Sequence, residues 1–74
     1  VDIEQAVKCV ETEYIRATAK FGKFNTPHEG YAVLLEEVDE LWEEVKCNPR
    51  CPERMQKEAI QVAAMAIRFL VDCC

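Results

Sequence analysis

The stretch Thr26–Lys46, TPHEGYAVLLEEVDELWEEVK, constrains this chain most, because it reads as a helix with one heavily acidic side and almost nothing to neutralise it. Thr26 suits a helix cap, Pro27 the first helical position, and Glu29, three residues after the cap, gives the pattern of a capping box. Tyr31, Leu34, Leu35, Val38, Leu41, Trp42 and Val45 then recur at helical spacing and define one apolar face. The opposite face carries Glu29, Glu36, Glu37, Asp39, Glu40, Glu43 and Glu44, with no Lys or Arg before Lys46. The like-charge pairs Glu36/Glu40, Asp39/Glu43 and Glu40/Glu44 each cost about 0.2–0.5 kcal/mol. Glu43 and Glu44 also oppose the dipole at the helix C-terminus. The pattern asks for a cationic partner.

The chain of 74 residues is expected to form one small domain, of a size that often gains stability by oligomerising. Half of it is hydrophobic, with only two Gly and three Pro, which suits an all-α protein. A net charge of −5 argues against nucleic acid or an anionic membrane as partner. No apolar run reaches transmembrane length and no signal-peptide pattern is present, so the expected location is cytoplasmic. The chain begins without Met, as a processed or cropped chain would. Five cysteines (Cys9, Cys47, Cys51, Cys73, Cys74) make an odd number, and Cys47-x3-Cys51 lacks the usual zinc spacing. Reduced thiols are expected.

A first helix is expected over residues 2–21. Asp2 and Gln5 resemble a capping box, and Ile3, Val7, Val10, Tyr14, Ala17 and Phe21 give a packing seam. Lys8, Glu11, Glu13, Arg16 and Lys20 read as solvated surface. Gly22–Asn25 is a loop in which Lys20, Phe21, Lys23 and Phe24 interleave base and aromatic. They suit either a lid over phosphate and nucleobase or a plug at the end of a bundle, and aromatic burial alone explains the second. The acidic helix spans 27–46. A third helix is expected over 52–73, apolar around most of its circumference except for the stripe Arg54, Glu58, Gln61, Arg68 and Asp72, interrupted by Met65. The fold expected is therefore an antiparallel bundle of three helices, completed by oligomerisation.

Glu37 and Glu40 form ExxE on the second helix, with Glu36 beside them, and Glu58 and Gln61 repeat the i, i+3 spacing on the third. In an antiparallel hairpin the two pairs can meet, and carboxylates so gathered repel unless protonated or bridged by a hard cation. At these residues LLEEVDELWEEV followed by KEAIQVAAMAIRFL resembles the MazG-like, all-α nucleoside triphosphate pyrophosphohydrolases, over the span Thr26–Leu70. That family carries ExxE on one helix and ExxD on the next. Glu37, Glu40 and Glu58 match, whereas Gln61 stands where the family usually has Asp.

The resemblance implies hydrolysis of a (deoxy)nucleoside triphosphate to monophosphate and pyrophosphate. It further implies Mg²⁺, with Mn²⁺ as an alternative, held by Glu37, Glu40, Glu58 and Gln61. Glu36 or Glu40 is then the carboxylate that orients the attacking water. Helix face and loop position make Lys23, Phe24, Lys57 and Arg68 the substrate-binding candidates, and the apolar surface of the third helix, more than two neighbours cover, points to a homodimer or homotetramer. Two other readings stand beside this one: a nucleotide-binding or regulatory relative weakened by Gln61, and a structural helical oligomerisation module.

Overall fold

The computed structural model describes all residues 1–74. Three helices and no strand make up the chain: α1 (Ile3–Phe21), α2 (Pro27–Val45) and α3 (Pro52–Cys73). Their limits follow from local chemistry. Asp2 accepts from the Gln5 backbone N–H at 2.9 Å, while Gln5 Oε1 accepts from that of Asp2 at 3.1 Å, closing a reciprocal cap on α1. α1 stops at Gly22, whose φ of 74° lies where only glycine sits without strain. The cap of α2 closes on one side only. Thr26 accepts from the Glu29 N–H, but Glu29 turns its carboxylate to the backbone and side chain of Asn25. Pro52 opens α3 without a side-chain cap.

α3 is the middle element: α1 and α2 each pack along it, and their backbones do not approach one another. α2 runs antiparallel along it, placing Glu44 near Arg54 and Thr26 near Cys73. α1 runs in the same sense as α3, with Glu13 beside Gln61 and Gly22 beside Arg68. The result is an open layer of helices. Its small core of Ala17, Phe24, Ala64 and Met65 lies where the α1–α2 loop folds onto α3, ringed by Val10, Tyr14, Val33, Leu34 and Phe69. Gly30 allows this closure, since a Cβ there would meet the rings of Phe69 at 2.9 Å and Phe24 at 3.0 Å.

The faces of α2 fall differently from a simple apolar-in, acidic-out division. Gly30, Val33, Leu34, Glu37, Leu41, Glu44 and Val45 are buried or half-buried against α3, so two of the acidic residues lie in the seam. Tyr31, Leu35, Val38 and Trp42 turn outward, 42–61 % exposed. The seven apolar positions span more circumference than one neighbouring helix covers.

Candidate metal centre and cleft

The polar stripe of α3 lies along the side that α1 and α2 leave between them, and each member meets a different partner. Arg54 donates to Glu44 at 2.8 Å. Glu58 faces Glu37 and Glu40. Gln61 lines a cleft together with Glu13 of α1. Arg68 donates to the Gly22 carbonyl at 2.6 Å and to Met65 Sδ at 3.3 Å, and Asp72 accepts the Phe24 backbone N–H at 3.0 Å. Met65, an interruption of the stripe in sequence, thus becomes part of it.

One carboxylate oxygen from each of Glu37, Glu40 and Glu58 lies within 4.8 Å of the other two. The i, i+3 spacing brings Glu37 and Glu40 to one side of α2, and the antiparallel register brings Glu58 opposite. No cation pairs with them: the salt bridges join Arg16 to Glu13, Lys46 to Glu43 and Arg54 to Glu44. Loss of solvent therefore pushes the Glu37 carboxyl up to about 7. The charge of Glu40, a hydrogen bond shared with it, and the charges of Glu58 and Glu36 add to the shift. Glu58 is raised too, first by burial and then by its hydrogen bond and repulsion with Glu40, with Lys57 opposing.

This donor set fits a hard divalent ion. All three donors are oxygens, and around Mg²⁺, at about 2.1 Å from each ligand, oxygens sit roughly 2.9–4.2 Å apart. A small contraction of the cluster reaches that range. The charge and the proton-sharing are what a cation would relieve.

Beside the cluster a cleft of about 290 Å³ opens between α1, the loop and the helix pair. Lys23, Phe24, Glu36, Glu37, Gln61 and Arg68 line it, so most residues singled out from sequence converge there. Phe24 is buried in the core, its ring under the Arg68 guanidinium at 4.2 Å, whereas Phe21 is 63 % exposed. Arg68 is only 3 % exposed, and its Nε is buried without a hydrogen-bond partner. Lys57 lies elsewhere, on a separate cleft of about 550 Å³ between α1 and α3, with Lys8, Glu13 and Arg16. Gln61 borders both clefts.

Glu13 was not visible from sequence as anything but surface. Its side chain is only 12 % exposed, and Arg16 holds it at 2.8 and 2.6 Å. Those bonds hold its carboxyl below the usual carboxylate range despite burial, with the Arg16 charge, Gln61 and Lys57 adding to the effect. The available signal was positional: Ala6, Val10, Glu13 and Ala17 repeat at four-, three- and four-residue steps, which puts a carboxylate in the packing seam. The five cysteines are free. No helix is long and apolar enough to cross a membrane. Comparison with protein-family models, curated proteins and solved structures gives no match to this chain.

Proposed function

We propose that this chain is a Mg²⁺-dependent nucleoside triphosphate pyrophosphohydrolase resembling the MazG-like enzymes. One observation carries the reading: a carboxylate cluster without a cation reaches, through Glu37, the cleft lined by a buried guanidinium without an anion, yet the two do not pair with each other. A ligand that brings both charges, a divalent cation on a phosphate chain, satisfies both. Glu37, Glu40 and Glu58 would hold the cation, which when bound polarises phosphoryl oxygens and neutralises developing charge. Gln61 would add a neutral oxygen.

Glu36, exposed and lining the cleft, would take a proton from the attacking water, with Glu40 as the other candidate. The water's oxygen bonds to the α-phosphorus, the bond from that phosphorus to the bridging oxygen breaks, and pyrophosphate leaves. Lys23 and Arg68 face the anionic end of the substrate, and Phe24 holds the Arg68 plane in place. Lys57, on the other cleft, acts on this site only through its charge beside Glu58.

The same reading includes a homo-oligomer, a homodimer or homotetramer. Only six of the 74 residues are buried, and α2 leaves Tyr31, Leu35, Val38 and Trp42 outside at coiled-coil spacing. Leu70 on the far side of α3 is 63 % exposed as well. A second copy covers such a surface without altering the cleft side. Light scattering should give at least a dimer at micromolar concentration, and a folded monomer would overturn this part.

The decisive experiment is a pyrophosphate-release screen over canonical and modified nucleoside triphosphates, with and without Mg²⁺. Release that requires Mg²⁺ and vanishes in Glu58→Gln supports the enzyme. Gln61, a neutral amide where the resembled family usually has Asp, favours one alternative, a nucleotide-binding relative without turnover. Calorimetric nucleotide binding with no pyrophosphate selects it. Neither binding nor release leaves the structural oligomerisation module.

A further inference from the structure

Arg68 and Asp72 stand one turn apart on α3, at the i, i+4 spacing where a guanidinium and a carboxylate ordinarily pair. Here neither takes part in an ion pair. Each side chain instead holds the backbone of the α1–α2 loop. Arg68 donates to the Gly22 carbonyl at 2.6 Å, and the Phe24 N–H donates to Asp72 at 3.0 Å. Residues 22–24 therefore lie as a strap across the two charges. The Phe24 side chain fastens it further, buried under the Arg68 guanidinium and against the gap that Gly30 leaves.

Two arrangements of these groups are open to the chain. With the strap down, Phe24 is buried and the loop backbone is bonded. Arg68 then keeps its charge among a carbonyl, a thioether and an aromatic ring, with its Nε bonded to nothing. A buried charge without a counter-ion is a cost that the closed arrangement carries alone. With the strap lifted, Phe24 loses its burial, but Arg68 and Asp72 can pair with each other. An anion in the cleft, which Arg68 and Lys23 line, removes the cost of the closed arrangement. In the lifted one Asp72 already occupies the guanidinium, so the same anion gains less. We infer that the strap and the anion-binding end of the cleft are one coupled element: a phosphate-bearing ligand binds the closed strap preferentially and holds it shut, with Arg68 and Asp72 as its anchors. This rests on the reading of the cleft as a phosphate site and not on hydrolysis there.

The test uses the full chain and inorganic pyrophosphate, with and without Mg²⁺. Calorimetry reads binding, and amide hydrogen exchange follows the Phe24 N–H beside that of Ala64 in the α3 core. In the free protein Phe24 should exchange faster than Ala64, through opening of the strap alone. At ten times the dissociation constant its exchange should slow about tenfold. An unchanged Phe24 rate while pyrophosphate binds, or equal rates at Phe24 and Ala64 throughout, overturns the coupling and leaves the anion site standing. No binding under either condition overturns both.

Two variants separate anchoring from charge. Removing a carboxylate beside an anion site strengthens anion binding by electrostatics alone. Asp72→Ala should nevertheless weaken pyrophosphate binding several-fold. The closed arrangement loses a part-buried hydrogen bond to a carboxylate, and the lifted one loses only a solvated ion pair. Asp72→Asn keeps an acceptor for the Phe24 N–H and should bind at least as tightly as wild type. Binding by Asp72→Ala that equals or exceeds wild type overturns the anchoring role.

Discussion

Two places along the α2–α3 seam, separated by little more than one helical turn, treat the same chemistry in opposite ways. At the end near the α2–α3 turn, Glu44 meets Arg54 at 2.8 Å, Glu43 meets Lys46 at 3.0 Å, and Arg50 donates to the Val45 carbonyl at 2.8 Å. The repulsion and dipole cost of the acidic helix end are offset there by cations the chain itself provides. Further along, Glu37 and Glu40 meet Glu58, another acid, and Glu37 is held up to about 7 as a result. Both stretches have the same helices and the same register. The difference is one residue type on α3, Arg54 against Glu58. The chain supplies counter-charges at one end, and the other is where the proposed cation would supply them.

The largest expected effect is on metal response. Glu37→Gln and Glu58→Gln should each weaken Mg²⁺ binding by an order of magnitude or more and abolish Mg²⁺-dependent pyrophosphate release, whereas Glu44→Gln should leave both nearly unchanged. Calorimetric titration and the release assay read this directly. Equal losses at Glu44 and Glu58 would erase the contrast between the two ends.

Next in size is the pH dependence of stability without metal. A carboxyl raised from 4.5 to about 7 keeps its proton in the folded state after the unfolded chain has lost its own. The folded state then binds more protons, so stability falls as pH rises from about 4.5 to 7 and stays lower above that. Because Glu37 is only half-buried, screening reduces the effect to about 1 kcal/mol, or roughly 4–8 °C in Tm for a domain of this size. Melting at pH 5 and pH 8 is expected to show the higher Tm at pH 5, with Mg²⁺ closing most of the gap at pH 8. Glu37→Gln should flatten the profile. A Tm that rises from pH 5 to 8 in the absence of metal would count against the unpaired cluster.

A smaller effect concerns metal-free stability at pH 8. Glu37→Gln and Glu40→Gln each remove a like-charge pair and should raise stability, by up to the same amount, about 1 kcal/mol, for Glu37 and by a few tenths of a kcal/mol for Glu40. Chemical denaturation of both variants tests the sign; if both unfold more easily than wild type, these carboxylates serve the fold.

How far all this is legible in the sequence depends on what each signal measures. Helix limits were readable because caps, prolines and Gly22 act locally: Asp2/Gln5, Thr26/Pro27 and Pro52 open helices where expected. The meeting of ExxE with Glu58 was readable because a short turn between helices dictates antiparallel register. Other features depend on how much of each helix its neighbours cover, and periodicity does not contain that. The apolar residues of α2 read as one face, yet only Leu34, Leu41 and Val45 pack toward α3 while Tyr31 and Trp42 stay out. Lys23 and Lys57 were both substrate-binding candidates, but they line different clefts, one at the α1–α2 loop and one between α1 and α3. Glu13 stayed hidden since its burial depends on how α1 packs along α3, which periodicity does not give.

The smallest expected effect calibrates the paired end of the seam. Glu44 is 21 % exposed and Arg54 58 %, so their ion pair is half in solvent. Pairs of this kind couple by about 0.2–1 kcal/mol, and salt screens them. A double-mutant cycle with Glu44→Gln and Arg54→Gln is expected to give a favourable coupling near the middle of that range at low salt, shrinking toward zero in 1 M salt. The corresponding cycle with Glu40→Gln and Glu58→Gln should give the opposite sign without metal, because each single change relieves the same repulsion, and it should respond to Mg²⁺ where the first does not. If both cycles carry the same sign in the absence of metal, Glu58 has found compensation within the chain, and the seam no longer has a place that needs a cation from outside.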